Sequence, residues 1–166
     1  MSGVKKTPIL LMLTFLRNGE LSVSLKELWL QDICLSTIPK LLEHRPTVFK
    51  ARLGAALVDR RGRIVCVGFN NKRTHPRAAS WHAKGGRPYC TTLHAEMDCL
   101  LRAERESLCI PDLTLVVSRT RKKGPRLGFE TCLALPCAGC THAIVDLKVK
   151  RVVFSVDEMK TGELHL

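Results

Sequence analysis

The chain has 166 residues, 45% hydrophobic and 25% charged, which excludes a largely disordered or fibrous protein and suits one domain with a real core. Lys and Arg number 27 against 15 Asp and Glu, and the resulting charge of +12 favours anionic partners, nucleotides and nucleic acids among them. No apolar run reaches transmembrane length, and six of the eight cysteines, Cys34, Cys66, Cys90, Cys99, Cys109 and Cys132, sit mostly in apolar runs of a chain too long for a disulfide scaffold, so a reducing, cytoplasmic setting is expected.

Ile9 to Leu16, after Lys5-Lys6, has a faint likeness to a signal peptide, but Arg17-Asn18-Gly19-Glu20 supplies no small-residue cleavage site. Asn18-Gly19 marks a turn, and Ser24-Leu25-Lys26-Glu27 has the spacing of a capping box, which predicts a helix to about Leu35. Residues 1–30 are therefore expected to be a helical extension packed on a main domain of residues 31–166, with a small winged-helix-like module as the alternative. Thr37-Ile38-Pro39 opens a short helix that ends before Pro46. Arg52 to Val58 and Arg63 to Phe69 read as antiparallel strands joined at Asp59-Arg60-Arg61-Gly62.

After Asn70-Asn71 and through about Thr92 the composition predicts a long polar loop, functional or partly structured, with His75-Pro76 as a rigid turn. His94 to about Ser107 is helical, with Cys99, Leu100, Leu101 and Ala103 on its apolar face and Ile110-Pro111 as its stop. Leu113 to Ser118 is a third strand, Arg119 to Ala134 a long basic link, Cys137 to Leu147 a second helix and Arg151 to Val156 a nearly all-apolar, central strand. This order predicts an α/β fold, a mixed sheet covered by helices. Basic clusters at Arg60-Arg61-Gly62-Arg63, Lys72-Arg73, Arg119 to Lys123 and Lys148 to Arg151 spread the charge along the chain.

Two motifs carry the chemistry: His94-Ala95-Glu96 and Pro136-Cys137-Ala138-Gly139-Cys140. A lone His-x-Glu is commonplace, and a lone Cys-x-x-Cys is often half of a structural zinc site or a redox pair. Together they offer one imidazole and two thiolates, a donor set that Zn²⁺ prefers and that leaves a fourth position for water. The combination has the form of a zinc deaminase signature. Each ligand falls at a helix start, where free N–H groups and the positive dipole end favour thiolate. Glu96, two residues after His94, diverges from it on a regular helix and suits proton transfer beside the metal better than ligation. A closed structural site would need a fourth ligand, for which Cys132, His142 and Cys90 are the candidates. A thioredoxin-like use of Cys137 and Cys140 leaves His94 and Glu96 unexplained.

With these residues in place, the chain resembles the cytidine deaminase-like superfamily, and CMP/dCMP-type deaminase domains above all, over roughly residues 50 to 160. The resemblance implies a three-layer α-β-α fold around a mixed sheet of four to five strands, the fifth being absent, very short or formed by residues 160–166. It implies Zn²⁺ on His94, Cys137 and Cys140, with Glu96 as the catalytic proton shuttle. Gly68-Phe69-Asn70 matches the family's Gly-aromatic-Asn strand end, so Asn70 inherits a substrate contact and Ala95 joins it; a turn-forming Asn is the alternative for Asn70. Leu135 replaces a polar residue common before Pro-Cys, and with Arg119 and Arg121 of the long basic segment it is a candidate substrate contact. That segment either binds phosphate, covers the pocket or is a solvated loop. His75, His82 and Cys90 lie in the loop where some dCMP deaminases hold a second zinc. Family members often pair or form rings, which leaves homo-oligomer formation open.

The leading expectation is hydrolytic deamination of a cytosine nucleotide, dCMP or CMP-like, with nucleotide metabolism as its setting. The first alternative keeps the chemistry and moves it to cytosine in single strands or adenosine in RNA, with Trp81, Tyr89 and Phe69 as rim aromatics. The second is a non-catalytic, zinc-stabilised binding module.

Overall fold

Local capping chemistry starts the fold, and the computed structural model describes residues 24–45, 51–124 and 128–166. The expected apolar segment at residues 9–16 and the Asn18-Gly19 turn lie outside the described residues. Ser24 caps α1 (Leu25–Asp32), its Oγ accepting the Glu27 N–H at 3.2 Å. The chain continues through a π-helical turn, Ile33–Thr37, into α2 (Ile38–Glu43). The wide turn falls where Pro39 lacks an N–H and crowds the preceding turn. The two helices predicted here are thus one continuous layer. Leu30, Ile33, Cys34, Ile38 and Leu42 are buried with Ala56, Val58, Val116 and Val153 of the sheet, so this layer shares a core with the sheet on both sides of residue 30.

The strands are β1 (Ala51–Val58), β2 (Ile64–Phe69), β3 (Thr114–Lys122), β4 (Phe129–Cys132), β5 (Arg151–Ser155) and β6 (Thr161–His165). They form one six-stranded sheet in the order β2-β1-β3-β5-β6, with β4 pairing off β3. The β3–β5 pair is parallel and the other pairs are antiparallel, so the sheet is mixed. The other helices are α3 (Pro76–Lys84), α4 (Ala95–Arg105) and α5 (Ala138–Asp146). Strand alternation divides the core. Ala55, Leu57, Leu115, Val117, Val152 and Phe154 face the cluster that includes Leu100 of α4 and Ile144 of α5, while the intervening residues face α1 and α2. Helices therefore cover both faces, as the three-layer expectation requires. Among the described residues no helix is long and apolar enough to cross a membrane.

Three elements depart from the sequence pattern. Residues 160–166 do supply a strand, β6, but β4 adds a sixth beyond the four to five expected. The basic stretch after Ser118, predicted as a link, stays in the sheet and returns as a hairpin: Arg121 stands opposite Glu130 and ion-pairs with it, and the Arg52 guanidinium stacks 4.2 Å over the Phe129 ring. Opposite-charge and cation–π pairs do here what apolar alternation does elsewhere. The polar loop contains α3. His75-Pro76 is its start, with the His75 ring accepting the Arg77 N–H at 3.2 Å and Pro76 in the first turn. Only Ala78, Trp81 and His82 of this helix are buried, too few to write a helical period into the sequence.

The packing that positions the site is the crossing of α4 over β2. A Cβ on Gly68 would stand 2.2 Å from the Cys99 N and 2.5 Å from the Ala95 O, so only glycine lets the strand and helix backbones approach this closely. The end of β2 is then pinned to α4, because the Phe69 N–H donates to Asp98 Oδ2 at 3.0 Å.

Candidate metal centre and active site

Two helix N-termini meet to form the site. His94 is the N-cap of α4 and Cys137 the N-cap of α5, both in extended backbone conformation, and neither side chain caps its own helix. Freed from capping, both side chains turn towards each other. Cys140 sits one turn into α5, which brings its thiol beside that of Cys137. His94 Nδ1 lies 3.4 Å from Cys137 Sγ and 3.4 Å from Cys140 Sγ. A tetrahedral zinc with bonds of about 2.0–2.1 Å to nitrogen and about 2.3 Å to sulfur places such donors about 3.6 Å apart, so this set fits the ion.

The three donors all lie within 4.8 Å of one another, and no other described residue joins the set. Of the residues considered as a fourth ligand, Cys132 lies on β4, His142 is exposed on α5, and Cys90 faces the other ring nitrogen, 4.0 Å from His94 Nε2. A three-residue set leaves a position open, which is the arrangement of catalytic zinc sites.

The first-turn environment favours thiolate. Hydrogen bonding from Cys140 holds the Cys137 thiol down to about 3, while the same contact pushes Cys140 up, so the pair shares a proton. The Cys137 thiolate raises the His94 imidazole above its ordinary value. Glu96 is 2% exposed, and Oε2 has no hydrogen-bond partner although it is buried. Burial raises its carboxyl, and its side chain reaches Cys140. An orphaned carboxylate oxygen beside an open metal position is an acceptor awaiting a proton donor.

The flanking groups hold this arrangement. His82 of α3 is buried, its Nε2 lies 3.1 Å from the Thr92 O, and its ring stands edge-on to His94 with centroids 4.6 Å apart. Gly139, inside the Cys-x-x-Cys, makes room for it: a Cβ there would lie 2.8 Å from His82 Nδ1. Trp81 anchors α3 to α5 through a 2.8 Å bond from Nε1 to Asp146 Oδ2. Asp98, buried one turn after His94, receives Arg102 Nε at 3.0 Å as well as the Phe69 N–H. Sequence reasoning passed over Asp98 and the buttressing by α3. A carboxylate on the His94 face of an otherwise apolar helix was the available signal for Asp98, whereas nothing local marks His82.

The other predicted contacts divide. Asn70 sits at the β2 exit, but its amide is tied to β1, accepting the Leu53 N–H at 2.9 Å and donating to the Ala51 O at 3.3 Å, with one N–H left over. Ala95 is fully buried under β2. Leu135 is 52% exposed, directly before the ligand turn. Arg119 and Arg121 are exposed at the end of β3, and Arg121 is held by Glu130; Arg126 lies outside the described residues. Of the rim aromatics, Trp81 is a correction: it is 2% exposed and committed to Asp146, while Tyr89 is 93% exposed and Phe69 is half-buried beneath Arg45. His75 is exposed as the α3 cap, so it joins neither His82 nor Cys90; those two group with His94 instead.

Comparison with known proteins agrees with this geometry. Seven chains of solved structures match. One, the 1.6 Å crystal structure of a cytidine deaminase from Burkholderia pseudomallei, has a TM-score of 0.51 and 17% identity over 79% of this chain and 89% of that one, a likeness of fold. No curated protein matches the sequence. The family model of the cytidine and deoxycytidylate deaminase zinc-binding region matches residues 31–156, a span that holds His94, Glu96, Cys137 and Cys140. The chain belongs to that family of zinc-binding deaminase domains.

Proposed function

We propose that this domain hydrolyses the exocyclic amine of a cytosine nucleotide, with dCMP and CMP as the simplest substrates, to give the uracil product and ammonia. The observation that carries the proposal is the buried, unpartnered Oε2 of Glu96 beside the cluster of His94, Cys137 and Cys140. Zinc, when bound there, supplies the Lewis acidity that brings water ionisation towards neutral pH. Glu96 takes the proton of the attacking water at Oε2, passes it to the ring nitrogen, and returns a second proton to the departing amine. The C4–O bond forms and the C4–N bond breaks, with no redox change.

Burial helps Glu96 hold a proton between these steps, because it disfavours the charged carboxylate. The exposed Leu135 supplies apolar surface beside the ligand turn, against which a pyrimidine ring packs. Arg119, exposed on β3 without a carboxylate partner among the described residues, is the contact proposed for the 5′-phosphate, and Asn70 offers its remaining N–H to sugar or base. A reducing, cytoplasmic compartment suits a centre built on thiolates.

The test is ammonia release by zinc-replete protein from dCMP and CMP, with Glu96→Ala as the blank. The variant is expected to keep its zinc and lose activity by a factor of at least about 100. Wild-type protein that is zinc-replete yet inert on cytosine in every form, monomer or polymer, would refute the deaminase assignment. The same chemistry on cytosine in single strands or adenosine in RNA is a second reading, favoured by a groove lined with arginines beside α4.

A further inference from the structure

A groove of about 770 Å³ runs along α4, away from the thiolate ligands, and its cations are all arginines: Arg45, Arg73, Arg77, Arg102 and Arg105. They come from four separate places in the chain, the end of α2, the segment after β2, α3 and α4. Two carboxylates also line it, and both are spent. Glu104 pairs with Arg77, and Asp98 takes Arg102 Nε at 3.0 Å, which orients the Arg102 fork with its Nη groups free. Arg45, Arg73 and Arg105 have no carboxylate partner among the described residues.

The metal ligands themselves do not line the groove, but the chain that forms one part of it leads directly into His94. Asn71 and Leu93, which line it, exchange backbone hydrogen bonds at 3.0 Å, and Leu93 immediately precedes His94. Along α4 its lining runs from Asp98 to Arg105, about 12 Å at 1.5 Å per residue. Complementing the helix dipole accounts for Arg102 and Arg105 alone, but it does not bring Arg45 and Arg73 to the same groove from other elements. One phosphate needs one cradle; three unpaired guanidinium groups, with the free Nη groups of Arg102 beside them, match more than one phosphate. Arginine rather than lysine suits that task, because the planar fork meets phosphate oxygens in pairs. Arg45 also lies 3.8 Å over the Phe69 ring, a flat cation on an aromatic face at the β2 exit.

We propose that this arginine groove is a phosphodiester track, which holds the backbone of a single nucleic-acid strand while one of its bases enters the metal site. The proposal rests on the deaminase assignment for the entering base and extends it from the nucleotide to the chain. A single strand is the fitting partner, since a base within a duplex is stacked and must be extruded before it reaches an active site.

The test is fluorescence anisotropy with a labelled cytosine-containing 15-mer, as DNA and as RNA, on full-length, zinc-loaded protein carrying Glu96→Ala to block turnover. Arg73→Glu with Arg105→Glu is compared with Arg61→Glu with Lys150→Glu, which makes the same change in net charge on exposed residues outside the groove. The groove pair is expected to weaken binding at least about 30-fold at low salt and to flatten the salt slope by about 1 per arginine; the control pair is expected to change affinity less than about 3-fold. Thermal melting confirms that each variant is folded, and Arg45→Gln, which removes charge without reversing it, provides a milder second probe. Equal losses in both pairs, an unchanged salt slope, or binding of polyglutamate or duplex as tight as that of the strand overturns the track. Ammonia from dCMP with no strand binding overturns the track and leaves the deaminase; strand binding with no ammonia from any cytosine substrate does the reverse.

Discussion

Gly68→Ala tests the packing on which the metal centre depends. The added methyl would stand 2.2 Å from the Cys99 N and 2.5 Å from the Ala95 O, against the 3.4 Å of ordinary contact, and both atoms are helix backbone that no rotamer change can move. To admit it, α4 and β2 must part by about 1 Å, at the upper end of the cost of overpacking, about 3 kcal/mol. For a domain of this size each kcal/mol lowers Tm by about 2–4 °C, so melting should fall by about 6–12 °C. The same displacement moves His94 relative to Cys137 and Cys140, and metal–ligand distances tolerate only about 0.2 Å, so bound zinc measured by mass spectrometry should drop as well. Gly86→Ala is the comparison: φ there is +78°, but nothing lies within 4 Å of the new Cβ, which leaves only the left-handed backbone cost of about 1–2 kcal/mol. A Gly68→Ala protein that melts within about 2 °C of wild type with full zinc content would sink the close-approach argument.

Trp81→Phe removes the donor that, more than any other cause, holds the Asp146 carboxyl below its usual value of 3.8. A depressed carboxylate stabilises the fold above its unfolded value and loses that contribution as pH falls through the lowered folded value. The gap in urea midpoint between wild type and variant should therefore shrink between pH 7 and pH 2, and a gap that stays constant would refute the link. Arg151, 18% exposed and paired with both Glu27 and Glu163, ties α1 to the far edge of the sheet. Arg151→Met should cost about 1–2 kcal/mol in urea unfolding, since it strands two partly covered carboxylates. Arg60→Met, in a pair 78% and 48% exposed, should leave stability unchanged within error. Chelation should lower Tm through loss of a ligand that binds only the folded state, with recovery on adding Zn²⁺, whereas Cys137→Ser should melt low with or without chelator.

The metal centre was legible because its geometry is local. His94 and Cys137 are both N-caps, Cys140 follows within one turn, and a Pro or an extended residue before each helix fixes where the side chains leave the backbone. The capping box at Ser24 and the β1–β2 hairpin were legible for the same reason: Ser24 Oγ and the turn at Asp59 act within four residues. What failed to show in the sequence depends on contacts between distant segments. α3 is stable against α5 because Gly85 and Gly139 let their backbones meet and because Trp81 reaches Asp146; neither glycine announces its partner. β4 exists because Glu130 lies opposite Arg121, and a row of cations by itself reads as a loop.

Charge shows the same distinction most clearly. The basic runs evident in the sequence, Arg60 to Arg63 and Arg119 to Lys123, fold into exposed hairpins whose members are partly consumed by Asp59, Asp112, Glu130 and Glu158. The groove beside α4 draws on residues that are scattered along the chain, with only Arg73 belonging to a visible cluster. A run of like charges repels itself and recruits local counter-ions, so its members tend to neutralise before they can act together on a ligand. Cations brought together from separate elements are held apart by the scaffold, and Asp98 and Glu104 fix two of them while leaving three unpaired. Positive potential available to a polyanion therefore follows from where the fold brings together the chain after α2, the segment after β2, α3 and α4, and the densest basic stretches of the sequence are a poor guide to where it lies.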